Sequence, residues 1–570
     1  MRKLNLMWSL LIVLSLLIPS AALAQEPALS LSKGPTLAGG NPNFDGTAAE
    51  EEGYWYSRYN MGNLTMISGL GDTFMPDMDM IQQMVQMADA NPNDGDTAVP
   101  PMNAALLSTI YASGDPHFIQ PIDMTMKDFG TMRWNPATFD KNVTSRAMGW
   151  TIIKEIEWAK QFHVDSHFGT PADNFGAQWR FVGLVVTAEA KMQAQHALQM
   201  LKNGQGLIAN SDGAVDWGGQ WVMLEALSDL AGTLSAPTMP HSASNRYADP
   251  NGAAMFRGAA DMLFGALASR QPADTEEYSL AAQALAWYAA NTANAANRAQ
   301  ALTLAGQYGD VLIGANKDDA TRKAFAIRGL LEAYRLTNNA KYRTAAADVF
   351  NGLAAEYDPA HGVFSSQSSY TIDNVAVIMG ALNSLKLFGG DTVDQGKVEA
   401  IFTGFWESAV NLSGLQQSAP PKDTGKDKFE QEDPDIYYAY PGMPMPPMAG
   451  GEFGVAPVFA TEVRWADGKW SVANPRFDSA GAMHASNEFI WFHNDEVNGF
   501  PVVKAAGAPG TLPVTGARTY VVTPGDSLSQ IAREQFGDAA RWPELYALNQ
   551  AIIGANPSLI YPGQTFVLPD

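Results

Sequence analysis

The chain contains no cysteine in 570 residues. That excludes disulfides, thiolate-bound metals and attachment through a lipidated cysteine. Basic side chains are scarce: 36 Lys and Arg stand against 59 Asp and Glu, a formal charge of −23. Nucleic acid and anionic membrane carry the same sign, so the balance disfavours both as partners. Long apolar runs are missing beyond residue 24, so no transmembrane anchor is expected in the mature chain. What is present is ample apolar composition, 46% of residues, enough for several domains with real cores.

The first 24 residues have the order of a secretory signal. Arg2 and Lys3 are followed by an apolar stretch from Met7 to Ile18 and by Ala22-Leu23-Ala24 as a small-residue cleavage site. The mature chain is therefore expected to begin at Gln25, with an N-terminal extension over 25–72. A secreted or extracellular location is expected, associated with the cell wall or envelope. Removing Arg2 and Lys3 leaves 34 basic residues and a formal charge of −25.

Between residues 73 and 415 apolar residues recur at helical spacing. Ala324, Ile327, Leu331 and Tyr334 form one stripe, and Tyr342, Ala346, Val349, Leu353 and Tyr357 form the next. Thr337-Asn338-Asn339 breaks the chain between them, which predicts an antiparallel helical hairpin. The preceding segment repeats the pattern, with Tyr288 matching Tyr334 and Arg298 matching Arg343, an offset of about 45 residues. A third hairpin begins at Tyr370. Hairpins at a fixed period predict a stacked helical array, open or closed into a ring. Residues 416–504 read differently. A charged loop and a Pro/Met-rich segment precede a β-hairpin turning at Ala466-Asp467-Gly468, which predicts a small β-rich appendage. Residues 505–518 read as a linker.

The segment 519–570 predicts strand, helix, helix, strand. Tyr520-Val521-Val522 is a β-type run, and Pro524-Gly525-Asp526 is a turn in which Asp526 or Ser527 can cap a helix. Leu528, Ile531, Ala532 and Phe536 mark the buried face of that helix, and Thr565 to Leu568 is the closing strand. The pieces YVV, GDSLSQIA, Trp542, Leu545, Asn549 and IYPGQTFVLP resemble a LysM domain. The resemblance implies binding of peptidoglycan or another GlcNAc-containing polysaccharide in a shallow groove. Gly525, Asp526, Ser527 and Leu528 would form one wall, and Pro557, Ser558, Leu559 and Ile560 the other. The hairpin grammar of the body, with a helix ending in EYDPAHGVF, resembles α/α-toroid proteins such as the six-hairpin glycosidases. The expected fold is thus multidomain and mainly α. It comprises a helical-hairpin, toroid-like body, a small β-rich appendage and a C-terminal βααβ module.

Two readings of the body follow. One is a non-catalytic surface scaffold or binding domain; the other is a glycoside hydrolase or polysaccharide lyase tethered to its substrate. The second needs paired carboxylates at the mouth of the ring. The candidates are Asp212 and Asp216 in SDGAVDWGGQW and Asp358 and Asp373 in YDPAHGVFSSQSSYTID, with Trp217, Trp221 and Tyr370 available to stack on sugar rings. Against this, Asp216 and Asp373 stand where helices begin and read equally as N-caps, and Asp358 as a turn residue. Neither a metal nor a cofactor is expected. His163 and His167 have the spacing of a ligand pair but no accompanying glutamate. The methionines from Met75 to Met87 and from Met443 to Met448 read as packing residues before copper ligands. LPVTG at 512–516 lacks the apolar tail of a sorting signal.

Overall fold

A computed structural model describes residues 37, 40–74, 77–88, 106–119, 133–163, 174–239, 244–417 and 459–489, and then 519–522, 527–536, 541–553 and 564–568. The first group forms the helical body. Its helices are α1 (Gly46–Gly62), α2 (Met78–Ala88), α3 (Ser145–Phe162), α4 (Asn174–His196), α5 (Trp217–Ser235), α6 (Pro250–Leu267) and α7 (Thr275–Asn291). They continue with α8 (Ala295–Gly314), α9 (Ala320–Thr337), α10 (Ala340–Ala355), α11 (Ile372–Phe388), α12 (Gln395–Phe405) and α13 (Ser479–Glu488).

Helix starts in this body are written by side chains that bond the free N–H groups of the first turn. Asp45, Asp249, Asp274, Asp319, Asp394 and Asp478 cap α1, α6, α7, α9, α12 and α13 in this way. Part of the acidic excess is therefore structural. The hairpin break expected at Thr337 to Asn339 is real. Asn338 takes the left-handed conformation at φ 51°, closing α9, and Asn339 caps α10.

The odd-numbered helices from α3 to α13 form a closed ring. α3 packs on α5, α5 on α7, α7 on α9, α9 on α11, α11 on α13, and α13 back on α3. The even-numbered helices and α1 lie outside: α4 on α3, α6 on α5, α8 on α7 and α9, α10 on α9, α12 on α11, and α1 on α13. Burial matches the two layers. Inner α11 is buried without interruption from Val375 to Leu385, whereas outer α8 buries one stripe, Ala301, Ala305, Tyr308, Gly309 and Leu312. The body is thus an α/α toroid of six hairpins. Two of its helices lie outside the 73–415 span read from sequence: α1 falls in the expected extension and α13 in the expected appendage.

Short strands gather where inner helices begin. β2 (Asp140–Val143) leads into α3, β5 (Ser369–Thr371) into α11, and β8 (Phe477–Asp478) into α13. β1 (Tyr111–Gly114) pairs antiparallel with both β2 and β8. β6 (Glu462–Ala466) pairs with β5 and with β7 (Lys469–Asn474), and the predicted turn between β6 and β7 has Asp467 at φ 52° and Gly468 at φ 73°. β3 (Tyr357–Asp358) and β4 (Val363–Phe364) make a separate small hairpin.

The C-terminal residues have their own core. β9 (Thr519–Val521) pairs antiparallel with β10 (Thr565–Val567), and α14 (Leu528–Phe536) packs on α15 (Trp542–Ile553). Leu528, Ile531, Leu545, Phe566 and Leu568 fill the space between. Asn549 lies within α15 and donates to the Leu545 carbonyl at 2.8 Å. Among the described residues no helix is long and apolar enough to cross a membrane.

Candidate functional site

Alternation of inner and outer helices makes the inner six parallel, so their N-termini share one face of the toroid. Charged side chains meet there. Arg146, in the first turn of α3, donates from Nε and Nη2 to Asp216 at 2.8 and 3.0 Å, and from Nη1 to Glu276 at 2.5 Å. Asp216 stands at the N-cap position of α5 but makes no capping bond there, because its carboxylate is turned to the guanidinium. Glu276 is in the first turn of α7. The pair Gly218-Gly219 permits the approach: a Cβ on Gly218 would stand 2.2 Å from Arg146 Nη2.

Across the rim, Asp373 in the first turn of α11 meets Nδ1 of His484 at 2.7 Å. Thr371, not Asp373, caps that helix, in a capping box with Asn374. His484 is buried and stacked on Trp150, ring centroids 4.5 Å apart. Solvent reaches Asp373, with 27% of its side chain exposed. Asp478 caps α13 beside it.

These four carboxyls are driven apart electrostatically. Burial works against ionised Asp216, but the bonds and charge of Arg146 prevail and hold it below its ordinary value. Burial likewise opposes ionised Asp373, and the attraction and hydrogen bond of His484, with Arg146, bring it below normal. Burial raises Glu276 despite Arg146, helped by repulsion from Asp373. Burial and the same repulsion push Asp478 up to about 6. One rim thus holds two acids that favour the charged form and two that favour the proton.

A stability effect follows for Asp478. Its folded value lies above the ordinary 3.8 of the unfolded chain, so its contribution is complete below about pH 4 and is lost as pH rises through about 6. Asp478→Asn keeps a capping side chain and removes the titration. Relative to wild type, the variant is expected to gain about 1–3 kcal/mol between pH 4 and pH 7. Urea unfolding across that range checks it; parallel profiles for the two proteins would contradict it.

Of the sequence candidates, Asp216 and Asp373 are brought to this rim. Asp212 is exposed on the loop before α5, accepting from Ala214 N–H and Asn142 Nδ2. Asp358 sits apart in β3, tied to His361 Nδ1 at 2.7 Å and to Ala360 N–H. Trp221 and Tyr370 are fully buried and cannot stack on a ligand. Trp221 donates to Glu277, and the Tyr370 hydroxyl receives the Phe364 N–H. Trp217 is 37% exposed, with the Arg270 guanidinium over its ring. His163 is buried at the end of α3, its Nε2 accepting from Arg246 N–H; His167 lies outside the described residues. Arg146, Glu276, Asp478 and His484 were not candidates from sequence. The GG after Asp216 was the one local signal that something must approach closely.

In the C-terminal unit, Ser527 accepts from Gln530 N–H and starts α14, and Leu528 is 4% exposed and packed in the core. Gly525, Asp526, Pro557, Ser558, Leu559 and Ile560 lie outside the described residues. Order, pairing and core together describe a two-stranded sheet carrying two helices, and the LysM domain family matches residues 520–569. Residues 520–569 are a LysM domain. A LysM domain implies glycan binding. Among curated proteins, a "Potassium binding protein Kbp" from Escherichia coli is 26% identical over 117 residues, 20% of this chain and 74% of its own length. Two solved structures align with the chain. A D-mannose isomerase covers 72% of this chain and 97% of its own, at 9% identity and TM-score 0.40. The cellulase Cel9M of C. cellulolyticum covers 79% and 98%, at 10% identity and TM-score 0.39.

Proposed function

We propose that this is an exported protein held on peptidoglycan, or another GlcNAc-containing wall polymer, by its LysM domain, with the toroid as a surface scaffold or binding body. The LysM match over 520–569 carries this reading. The secretory pattern of residues 1–24 and the acidic balance agree with it. Within the toroid, Asp216 and Glu276 are both engaged by Arg146 and Asp373 by His484, an arrangement suited to holding the ring together. Tethering raises the local concentration of the body on the polymer without any new contact.

A second reading rests on the same rim. Acids with opposed proton preferences on one rim suit general acid and base work on a glycosidic bond. Asp373 would serve as base, oriented by His484, and Glu276 as acid, oriented by Arg146. The test is release of reducing ends or unsaturated products from peptidoglycan and a polysaccharide panel. Product that disappears in Asp373→Asn and in Glu276→Gln makes the body a wall-tethered enzyme. No product from any polymer, with binding intact, leaves the scaffold.

A further inference from the structure

The toroid has a second opening. A well of about 60 Å3 lies on its axis in the C-terminal halves of the inner helices, facing away from the Asp216–Asp373 rim. Half-buried Glu157, Trp287 and Arg335 stand late in α3, α7 and α9 and form its edge, while Glu225, Arg328 and Trp150 line it at mid-depth. His484, stacked on Trp150, stands between this well and Asp373.

The charges in the well do not balance. Glu157 has Lys154, Asp229 has Lys160 at 2.6 Å, Glu332 has Arg335 at 2.7 Å, and Glu488 has Arg328 at 2.9 Å. Glu225 makes neither an ion pair nor a hydrogen bond among the described residues, although it is only 7% exposed, and Arg328 acts on it only through its charge. An isolated ionised carboxylate in such a place is costly. Burial, with repulsion from Glu332 and Glu488, favours its protonated form despite Arg328 nearby. Asn487, also on the wall, commits its amide nitrogen to the carbonyls of Trp150 and Met483 at 3.0 and 2.8 Å and leaves Oδ1 without a partner.

We infer that this well binds a small primary ammonium compound, with Glu225 as counter-ion. Three observations select that chemistry. Glu225 is the one acid of the five on this wall without an ion pair among the described residues, and a bound ammonium would supply one and draw its carboxyl into the charged form. The wall supplies an acceptor in Glu225, and at the edge Trp287 already takes the Lys160 ammonium over its ring at 5.0 Å, the contact that an alkylammonium makes with an aromatic face. Among the described residues no three His, Asp or Glu side chains converge as metal ligands, which turns the choice from a metal ion to an organic cation. The volume suits a headgroup of two or three heavy atoms, with any longer chain leaving through the open edge. The site is separate from the LysM domain and does not depend on the glycan reading.

The probe is ethylamine at pH 7.5, with ethanol as its neutral isostere, followed by saturation-transfer NMR on the full chain. A three-heavy-atom ligand is bound at best in about the millimolar range. Ethylamine is expected to saturate there, with ethanol at least about tenfold weaker. Glu225→Gln, which removes the ionisable carboxyl and fills the same space, is expected to fold and to lose about tenfold or more in ethylamine affinity. Trp287→Leu, at the half-buried edge, is expected to weaken it severalfold. Equal saturation by ethylamine and ethanol, or ethylamine affinity unchanged in both variants, would overturn the assignment.

Discussion

Replacing Arg328 by leucine lowers the stability of the helical body by about 3–5 kcal/mol. This guanidinium sits inside the ring and is the hub of its interior. It donates to Glu488 on α13 at 2.9 Å, to Gln283 on α7 at 2.6 Å, and to Ser384 on α11 at 3.1 Å, and it faces Glu332 one turn along α9 at 3.4 Å. Four of the six inner helices are thus joined through one side chain. Its removal leaves buried Glu488 with only His484 Nε2 at 4.0 Å, and Glu332 with Arg335 alone. Glu488 Oε2 packs against Gly380, 1.7 Å from where a Cβ would stand. The loss is therefore the desolvation cost of stranded carboxylates more than the loss of one bond. Combining Arg328→Leu with Glu488→Gln is expected to recover part of it, a coupling that a double-mutant cycle in urea measures. A near-neutral Arg328→Leu, or purely additive effects, would show that water reaches the interior and solvates these acids.

Phe566→Ala unfolds the LysM domain while leaving the melting of the body in place. The core there is small: Phe566 on β10, paired with Tyr520 on β9, packs with Val522, Leu528, Ile531, Leu545, Ile553 and Leu568. Truncating a buried phenylalanine costs about 3–5 kcal/mol. A unit of about fifty residues has little more than that to lose. With no cysteine in the chain, no disulfide offsets the loss. Two thermal transitions are expected in wild type and one in the variant, accompanied by loss of glycan retention. An unchanged pair of transitions would mean that the segment draws its stability from elsewhere.

Much of this was written locally and could be read. The break at Asn338, the β6–β7 turn at Asp467-Gly468 and the strand–helix–helix–strand order of residues 519–570 are each fixed by neighbours in sequence. Asp216 and Asp373 were found because they precede or open helices beside aromatic residues. Closure of the ring was not legible. It depends on α1 and α13, more than four hundred residues apart, and α13 is a ten-residue SAGAMHASNE with no apolar stripe to announce it. Inner helices are buried on every side and lose the periodicity that marks a surface helix. The same burial misled the reading of Trp221 and Tyr370, aromatic residues next to acids that serve the core. Arg146 and His484 gain their roles from partners 70 and 111 residues away, which no local pattern reports.

Co-sedimentation of the mature full-length protein with purified peptidoglycan, compared with the same chain ending at residue 518, tests the central claim most directly. The account predicts that the intact protein pellets with the polymer and that the shortened chain stays in the supernatant with its body folded, a difference of about tenfold or more in the bound fraction. A shortened chain that pellets as well as the intact one would place wall binding in the toroid and contradict it.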